Sequence, residues 1–170
     1  MIKLQFVLLV AIAILLSACS GSGYENKINQ NFDNINDWYK EVPTLTNEQA
    51  HSGKISTFMD STHEFSSTYE VNYEEIKKKG FTHVKVSAWG MVPDVNAKAN
   101  LVISVNSPEG NRAYSAIAYS KYIFKINEWT EITNELELPE VKEKGAVLKV
   151  YGWVTNKQKS YMDDVTIEFN

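Results

Sequence analysis

Two stretches of the sequence, THVKVSAWGMV at residues 82–92 and AVLKVYGWVT at residues 146–155, give the clearest indication of the fold class. In both stretches, small aliphatic residues alternate with polar or aromatic ones. Successive side chains of a β-strand point to opposite faces, so a period of two predicts a strand with one buried face. The aliphatic face of each stretch is therefore expected in the core, and the opposite face carries Lys, Ser, Tyr and Trp side chains.

Most of the remaining chain shows the same period of two, interrupted by turn signals such as Ser107-Pro108-Glu109-Gly110. Strands are predicted at residues 30–34, 41–46, 54–59, 64–72, 82–92, 99–106, 112–125, 129–138, 146–155 and 161–169. One short helix is predicted at residues 73–79, where YEEIKKK precedes Gly80. Many short strands at regular spacing favour an all-β fold, a two-sheet antiparallel β-sandwich, as a single domain over residues 28–170.

The composition excludes two classes of function. The chain has 17 basic against 21 acidic residues, so it has no basic excess with which to neutralise nucleic-acid phosphates. We therefore expect no nucleic-acid partner. Its single cysteine rules out a disulfide framework and a zinc site built on several thiolates.

The first 18 residues have the pattern of a secretory signal peptide. Lys3 precedes an apolar run from Phe6 to Leu16, which as a helix is too short to span a hydrocarbon core of ~30 Å. The run ends in Leu-Ser-Ala-Cys, which resembles the lipobox of bacterial lipoproteins. Residues 1–18 are therefore predicted to be removed and Cys19 to carry a lipid anchor, with residues 19–27 as a flexible tether. The alternative is an ordinary signal peptide that leaves a free thiol.

The anchor also predicts a location. A lipid-modified chain is held in the cell envelope by its acyl groups. Ser20 follows the cysteine in place of the Asp that tends to retain lipoproteins at the inner membrane. The outer membrane is therefore favoured if the source is Gram-negative.

The polar faces of residues 82–92 and 146–155 form the candidate binding surface. An aromatic ring on the polar face of a sheet is exposed unless something covers it, and exposed rings often mark binding sites. A sugar ring can stack its apolar C–H face on Trp or Tyr, while Lys and Ser bond its hydroxyl groups. The candidate ligand-binding residues are Trp89, Tyr151, Trp153, Lys85, Ser87 and Lys149, which Tyr114 and Arg112 could join. The alternative is that loops or the short helix cover these rings as a second small core.

Five fragments, in order, resemble the galactose-binding-like jelly rolls, a group that includes many carbohydrate-binding modules. The fragments are Asn29-Gln30-Asn31-Phe32-Asp33 followed by Trp38, His51-Ser52-Gly53-Lys54-Ile55-Ser56, Val86-Ser87-Ala88-Trp89, Glu128-Trp129-Thr130 and Tyr161-Met162-Asp163-Asp164-Val165. The resemblance implies a jelly-roll sandwich and favours carbohydrate binding. The same fold also serves in structural and protein-contact modules.

This resemblance also implies a structural Ca²⁺ that joins the first strand, the His-Ser-Gly turn and the last strand. The implied ligands are Asp33 (or Asn31), the carbonyl oxygens of Ser52 and Lys54, and Asp163. Alternation along the last strand places Asp163 on its core face, where a carboxylate is costly unless a cation or hydrogen-bond donors compensate it. The alternative places Asp163 at the end of the sheet, half solvated or accepting a backbone N–H.

Motifs for catalysis are missing from the sequence. His51, His63 and His83 are not at metal-ligand spacing, and no Gly-x-Ser-x-Gly elbow or phosphate-binding loop is present. Adjacent carboxylates occur, as at Asp163-Asp164, but neighbouring strand residues point to opposite faces. They cannot face each other across a substrate as the carboxylates of a glycosidase do.

The sequence therefore predicts a lipid-anchored, non-catalytic binding module whose partner is a poly- or oligosaccharide. The alternative from another class is a protein–protein or structural component of a cell-envelope assembly. A third alternative is a hydrolase whose site has no recognisable motif. A glycan that stacks on tryptophan changes the tryptophan fluorescence. A fluorescence screen of polysaccharides would therefore separate carbohydrate binding from a protein–protein or structural role.

Overall fold

The computed structural model describes residues 26–34 and 44–170. The predicted signal peptide, Cys19 and nearly all of the predicted tether lie outside these residues, as does Trp38. Lys27, which the sequence assigns to the end of the tether, is the first residue of a strand. No helix within the described part of the chain is long and apolar enough to cross a membrane.

The described residues form ten strands and one short α-helix. The strands are β1 (Lys27–Gln30), β2 (Leu45–Thr46), β3 (Ser56–Met59), β4 (Tyr69–Asn72), β5 (His83–Met91), β6 (Ala99–Ser107), β7 (Gly110–Ala118), β8 (Thr130–Glu137), β9 (Val147–Val154) and β10 (Ser160–Phe169). The helix α1 (Tyr73–Lys78) lies between β4 and β5.

The strands pair in two antiparallel sheets. The six-stranded sheet has the order β2-β3-β10-β5-β8, with β1 also paired to β10, and the four-stranded sheet has the order β4-β9-β6-β7. One hydrophobic core lies between the sheets, and its largest fully buried side chains include Tyr73, Tyr119, Phe32, Phe169, Ile132 and Leu148. The predicted all-β, two-sheet antiparallel sandwich of jelly-roll type is confirmed.

Residues 82–92 and 146–155 contain strands with one buried face, as predicted. Every second residue of β9 is buried, from Leu148 to Val154, and the same alternation runs along β5 from Val84 to Ala88. The predicted helix is also present. The side chain of Asn72 accepts a hydrogen bond from the Glu74 N–H at 2.9 Å, which caps α1 at its N-terminus.

The predicted strand at residues 112–125 is wrong beyond Ala118. The chain turns there into a short 3₁₀ helix at Tyr119–Lys121, in which Tyr119 is buried. The predicted strand at residues 30–34 is also misplaced, since β1 ends at Gln30. Phe32 has a φ angle of 61°, a left-handed conformation that a strand does not accommodate.

The predicted strand at residues 64–72 begins later in the structure, at Tyr69. Ser66 and Ser67 are buried and bond locally, with Ser66 Oγ donating to the Ser67 carbonyl at 2.8 Å and Ser67 N donating to Thr57 Oγ1 at 3.0 Å. Side-chain hydroxyls that bond nearby backbone groups compete with regular pairing. The segment before β4 is therefore a loop, apart from an isolated bridge between Phe65 and Trp153.

A β-bulge in β10 reverses the predicted orientation of Asp163. The register between β10 and β5 shifts between Asp163 and Thr166, and Asp164 has a φ angle of 43°. An extra residue in one strand interrupts the alternation of its side chains. Asp163 is therefore paired with Trp89 and shares the outer face of the sheet with it, rather than the core face that alternation predicts.

Candidate ligand-binding face

The predicted ligand-binding residues lie on two different sheets. The six-stranded sheet carries Lys85, Ser87 and Trp89 on β5, whereas the four-stranded sheet carries Lys149, Tyr151 and Trp153 on β9 and Tyr114 and Arg112 on β7. The β5 and β9 groups alternate with core residues and point away from the core, so they lie on opposite sides of the sandwich. The prediction of one shared face is wrong, because alternation in two strands does not reveal which sheet each strand joins.

Trp89 is half-buried, and the turn at residues 47–55 covers one face of its ring. His51 in this turn stacks on Trp89 with ring centroids 3.8 Å apart and an interplanar angle of 11°. The edge of His51 also meets Trp129 at 5.9 Å, and its Nδ1 lies 2.6 Å from Asp164 Oδ2. Trp89 therefore packs in a second small cluster outside the main core. For this ring, the alternative that a loop covers it is correct.

Lys85 and Ser87 lie on the same outer face as Trp89. Lys85 is exposed, and its Nζ lies 3.6 Å from Glu135 Oε1 on β8. Ser87 is half-buried and is paired with Thr166 of β10. Since the ring predicted beside them is covered, these two residues do not flank an open aromatic platform.

The outer face of the four-stranded sheet is built from rows of side chains that cross its strands. The rows are Trp153–Asn100–Ala118, Tyr151–Val102–Ala116 and Lys149–Ser104–Tyr114, taken from β9 through β6 to β7. Trp153 and Tyr151 are both half-buried. Smaller side chains follow both rings in their rows. Val102 beside Tyr151 is fully buried, Asn100 beside Trp153 is half-buried, and Ala116 at the edge strand is exposed.

Phe65 is a third ring of this face that the sequence did not single out. It is 49% exposed, its ring lies parallel to that of Trp153 at a centroid distance of 6.3 Å, and it meets the edge of Tyr151 at 5.6 Å. Alternation could not predict its position. Phe65 lies an even number of positions before the core residues Tyr69 and Val71, so a regular strand would place all three on the core face. The loop formed by the buried serines turns it outward.

Tyr114 lies on this face at its far edge, on β7. Its side chain is 46% exposed. Burial, and to a lesser extent the neighbouring Tyr151, raise the pKa of the Tyr114 hydroxyl. The hydroxyl therefore stays protonated near neutral pH and can donate a hydrogen bond.

Arg112 is already occupied by other partners. The register of β7 against β6 shifts at this point, and Arg112 Nε donates to Ser107 Oγ at 3.0 Å. Its Nη2 donates to Glu109 Oε2 at 2.7 Å and also pairs with Glu143. The structure thus places Arg112 at the end of the sheet, in a local ion-pair cluster.

Lys149 brings a cation and a carboxylate onto the face. Its Nζ lies 2.8 Å from Glu70 Oε2 on β4, and both side chains are partly exposed. An exposed ion pair contributes little to stability. The pair supplies a donor and acceptors for the recognition of hydroxyl groups. The neighbouring Ser104 hydroxyl is buried and accepts a hydrogen bond from Asn106 Nδ2 at 2.9 Å.

Two grooves follow β9 on this face. The Tyr151 groove has a volume of about 590 Å³ and is lined by Tyr151, Phe65, Lys149, Glu70, Ser104 and Val147, among others. The Trp153 groove has a volume of about 700 Å³ and is lined by Trp153, Asn100, Ala118, Lys98, Val95 and Asn156, among others. Binding sites for small ligands combine apolar walls with a few polar groups in this way.

The backbone N–H groups of the turn at residues 47–55 are held by two carboxylates from distant parts of the chain, Asp163 and Asp33. Asp163 is fully buried, and its carboxylate accepts hydrogen bonds from the backbone N–H groups of His51 (2.7 Å), Ser52 (3.2 Å) and Asp164 (2.8 Å). Burial raises the pKa of Asp163 to about 6, while these N–H donors act in the opposite direction. The hydrogen bonds therefore compensate the burial of this carboxylate only in part.

The second carboxylate belongs to Asp33. Its Oδ1 accepts hydrogen bonds from the N–H groups of Lys54 (2.8 Å) and Ile55 (3.0 Å). Both carboxylates are thus engaged by N–H donors of one turn. Among residues 26–34 and 44–170, no three His, Cys, Asp or Glu side chains are grouped as a metal site would need.

Calcium binding by Asp33, Asn31, Ser52, Lys54 and Asp163 stays a prediction from the resemblance. If Ca²⁺ is bound there, chelation with EDTA lowers the melting temperature of the protein, and added CaCl₂ restores it. Differential scanning calorimetry measures both changes. An equal melting temperature in EDTA and in CaCl₂ would remove the site.

Gly53 is required in this turn for two reasons. Its φ angle is 59°, and a Cβ atom added there would lie 1.4 Å from Asp33 Oδ2. We expect Gly53→Ala to lower the free energy of unfolding by about 3 kcal/mol, through backbone strain and loss of the Asp33 hydrogen bonds. Denaturant unfolding measures the change.

Gly80→Ala is the matched control for this substitution. Gly80 has a φ angle of 80°, but a Cβ atom there meets nothing within 4 Å. It should therefore show the backbone strain alone, about 1 kcal/mol. Equal losses in the two variants would mean that Asp33 does not hold the turn.

Comparison with solved structures identifies the same architecture in known proteins. The chain is similar to the second family 22 xylan-binding module (CBM22-2) of Xyn10C from Paenibacillus barcinonensis, with a TM-score of 0.55, 15% identity, and coverage of 84% of this chain and 99% of that one. It is also similar to the C-terminal family 22 carbohydrate-binding module of Clostridium thermocellum Xyn10B, with a TM-score of 0.54, 13% identity, and coverage of 84% and 91%.

The fold is a jelly-roll β-sandwich like that of these modules. A further xylan-binding domain of family 22 gives a TM-score of 0.55 at 13% identity, covering 88% of this chain and 96% of the other. No protein-family model matches the chain, and no curated protein matches it in sequence. The resemblance to jelly-roll modules, drawn from the five fragments, is thus confirmed at the level of the fold.

Proposed function

We propose that this jelly roll is a non-catalytic module that binds carbohydrate on the outer face of its four-stranded sheet. The observation that carries the proposal is the group of three neighbouring rings, Phe65, Tyr151 and Trp153, on a sheet face that also contains two grooves. An aromatic cluster of this kind on a polar face is unusual unless it binds something.

The chemistry of the face matches that of a sugar. The apolar side of a pyranose ring stacks on an aromatic ring, and each such contact adds about 0.5–1.5 kcal/mol beyond the burial of area. Lys149 and Glu70 line the Tyr151 groove and offer both a donor and acceptors to hydroxyl groups. Affinity should therefore be modest and depend on the rings.

The lipid anchor at Cys19 is part of the proposal. It would hold the module at a membrane surface of the cell envelope, where its partner is a poly- or oligosaccharide. Globomycin, an inhibitor of lipoprotein signal peptidase, should block cleavage before Cys19, and Cys19→Ser should release the protein from the membrane fraction. A wild-type chain that stays in the soluble fraction would contradict the anchor.

A glycan screen tests the binding proposal. Xylan is the first probe, because the structural neighbours are named as xylan-binding modules, and linear β-glucan, mannan and chitin oligosaccharides complete the set. Affinity electrophoresis on each polysaccharide detects binding, and Trp153→Phe and Trp153→Ala are compared with the unsubstituted protein. Retardation that Trp153→Ala loses and Trp153→Phe keeps supports stacking.

Absence of retardation on every glycan would contradict the proposal. It would favour the alternative of a protein–protein or structural component of an envelope assembly. That alternative predicts that a partner protein covers the three rings. Cross-linking in intact cells would detect this partner.

A further inference from the structure

The two grooves lie one after the other along a single strand. The Tyr151 groove is lined at its outer end by Gly145 and Val147, and the Trp153 groove by Thr155 and Asn156. From Val147 to Thr155 a strand rises about 26 Å. The rings of Tyr151 and Trp153 lie between the two ends, and the two grooves share no lining residue. We call the line along β9 on which both grooves lie the β9 path.

The Trp153 groove is braced by hydrogen bonds between two loops. The Lys98 N–H donates to Asn156 Oδ1 at 3.0 Å, Asn156 Nδ2 donates to the Asn96 carbonyl at 2.7 Å, and the Thr155 N–H donates to the Lys98 carbonyl at 3.0 Å. A surface that is fixed before binding loses less entropy when a ligand arrives. This end of the path is therefore suited to a ligand.

The path continues beyond the Trp153 groove to an exposed apolar tip. Val95 and Phe124 are 79% and 86% exposed, which is high for apolar side chains. A small cleft of about 30 Å³ lined by Phe124 shares Val95 with the Trp153 groove, so the tip adjoins the groove directly. A backbone hydrogen bond from Asn127 to Val92, of 2.9 Å, ties together the loops that carry Phe124 and Val95.

We infer that the ligand is a linear glycan chain of several units that lies along β9, fills both grooves and ends against Val95 and Phe124. This inference rests on the proposed function and adds the direction and the length of the ligand. The occupant of the tip is the same chain that stacks on Tyr151 and Trp153, because the tip continues the groove that Trp153 lines. A chain that crossed the strands instead would pass from β9 over Tyr114 on β7.

Isothermal titration calorimetry with a length series of the retained glycan, from disaccharide to hexasaccharide, tests the inference. We expect affinity to keep rising beyond the trisaccharide. Phe124→Ser should weaken hexasaccharide binding about threefold to tenfold and leave trisaccharide binding unchanged. Tyr114→Ser is the matched control, since it removes another exposed ring of similar size away from the β9 path.

Each result decides between the two orientations. Affinity that stops rising at the trisaccharide, or a hexasaccharide affinity that Phe124→Ser does not change, would overturn the inference. So would a larger loss in Tyr114→Ser than in Phe124→Ser, which would indicate a chain that crosses the sheet. In these cases the glycan still binds and the proposed function stands, whereas absence of binding by every glycan overturns both.

Discussion

Asp163→Ala is expected to lower the free energy of unfolding by about 3 kcal/mol, because it removes the β10 carboxylate that binds the turn at residues 47–55. The carboxylate accepts three backbone N–H groups and is fully buried. Alanine leaves these donors without an acceptor. The gain from no longer burying a charge offsets only part of that cost, because the donors are also partly removed from water.

Denaturant unfolding in the presence of EDTA is the measurement, so that loss of a bound metal cannot contribute. Asp163→Asn is the matched control, because its amide oxygen can still accept from His51 and Ser52 while its NH₂ group faces the Asp164 N–H. It should lose about half as much stability. If Asp163→Ala stays within about 0.5 kcal/mol of the unsubstituted protein, the carboxylate does not hold the turn.

The double variant Tyr151→Ala/Trp153→Ala is expected to bind the retained glycan about a hundredfold more weakly, which corresponds to about 2.8 kcal/mol. Both rings are half-buried on an open sheet face and line the two grooves. Removing them takes away the stacking surface and leaves the polar groups. Isothermal titration calorimetry measures the loss, and the melting temperature shows whether the double variant still folds.

Trp129→Ala is the control for this loss of binding. Trp129 contacts His51 on the far side of the sandwich, next to the covered Trp89. Its removal should lower the melting temperature and leave glycan affinity within twofold. An equal loss of affinity in Trp129→Ala and in the double variant would mean that the effect comes from destabilisation.

The sequence predicted the sandwich because period-two alternation reports directly on burial. In β9 the alternation is uninterrupted, and the structure follows it residue by residue. Alternation fails where a residue is inserted, as in the β10 bulge that moves Asp163 to the outer face. Nothing in the sequence marks this insertion, since Asp163-Asp164-Val165 is compatible with regular strand geometry.

The candidate site was predicted only in part, because the alternation within one strand does not show which other strands and loops lie next to that strand. Tyr151 and Trp153 face outward as predicted, and Phe65 completes the cluster from a loop. Trp89 has the same local pattern as Trp153, yet His51 covers it from a turn that is distant in sequence. Whether a ring is open or covered depends on such tertiary contacts, which alternation does not report.

The glycan is proposed to stack on the aromatic rings of the four-stranded sheet and not on Trp89 and Trp129 on the far side of the sandwich. The chain has four tryptophans, and each gives its own indole N–H signal in a ¹H–¹⁵N NMR spectrum. Substitution of each tryptophan in turn assigns these signals. Titration with the retained glycan should shift the Trp153 signal strongly and leave those of Trp89 and Trp129 in place. Shifts confined to Trp89 or Trp129 would contradict this proposal.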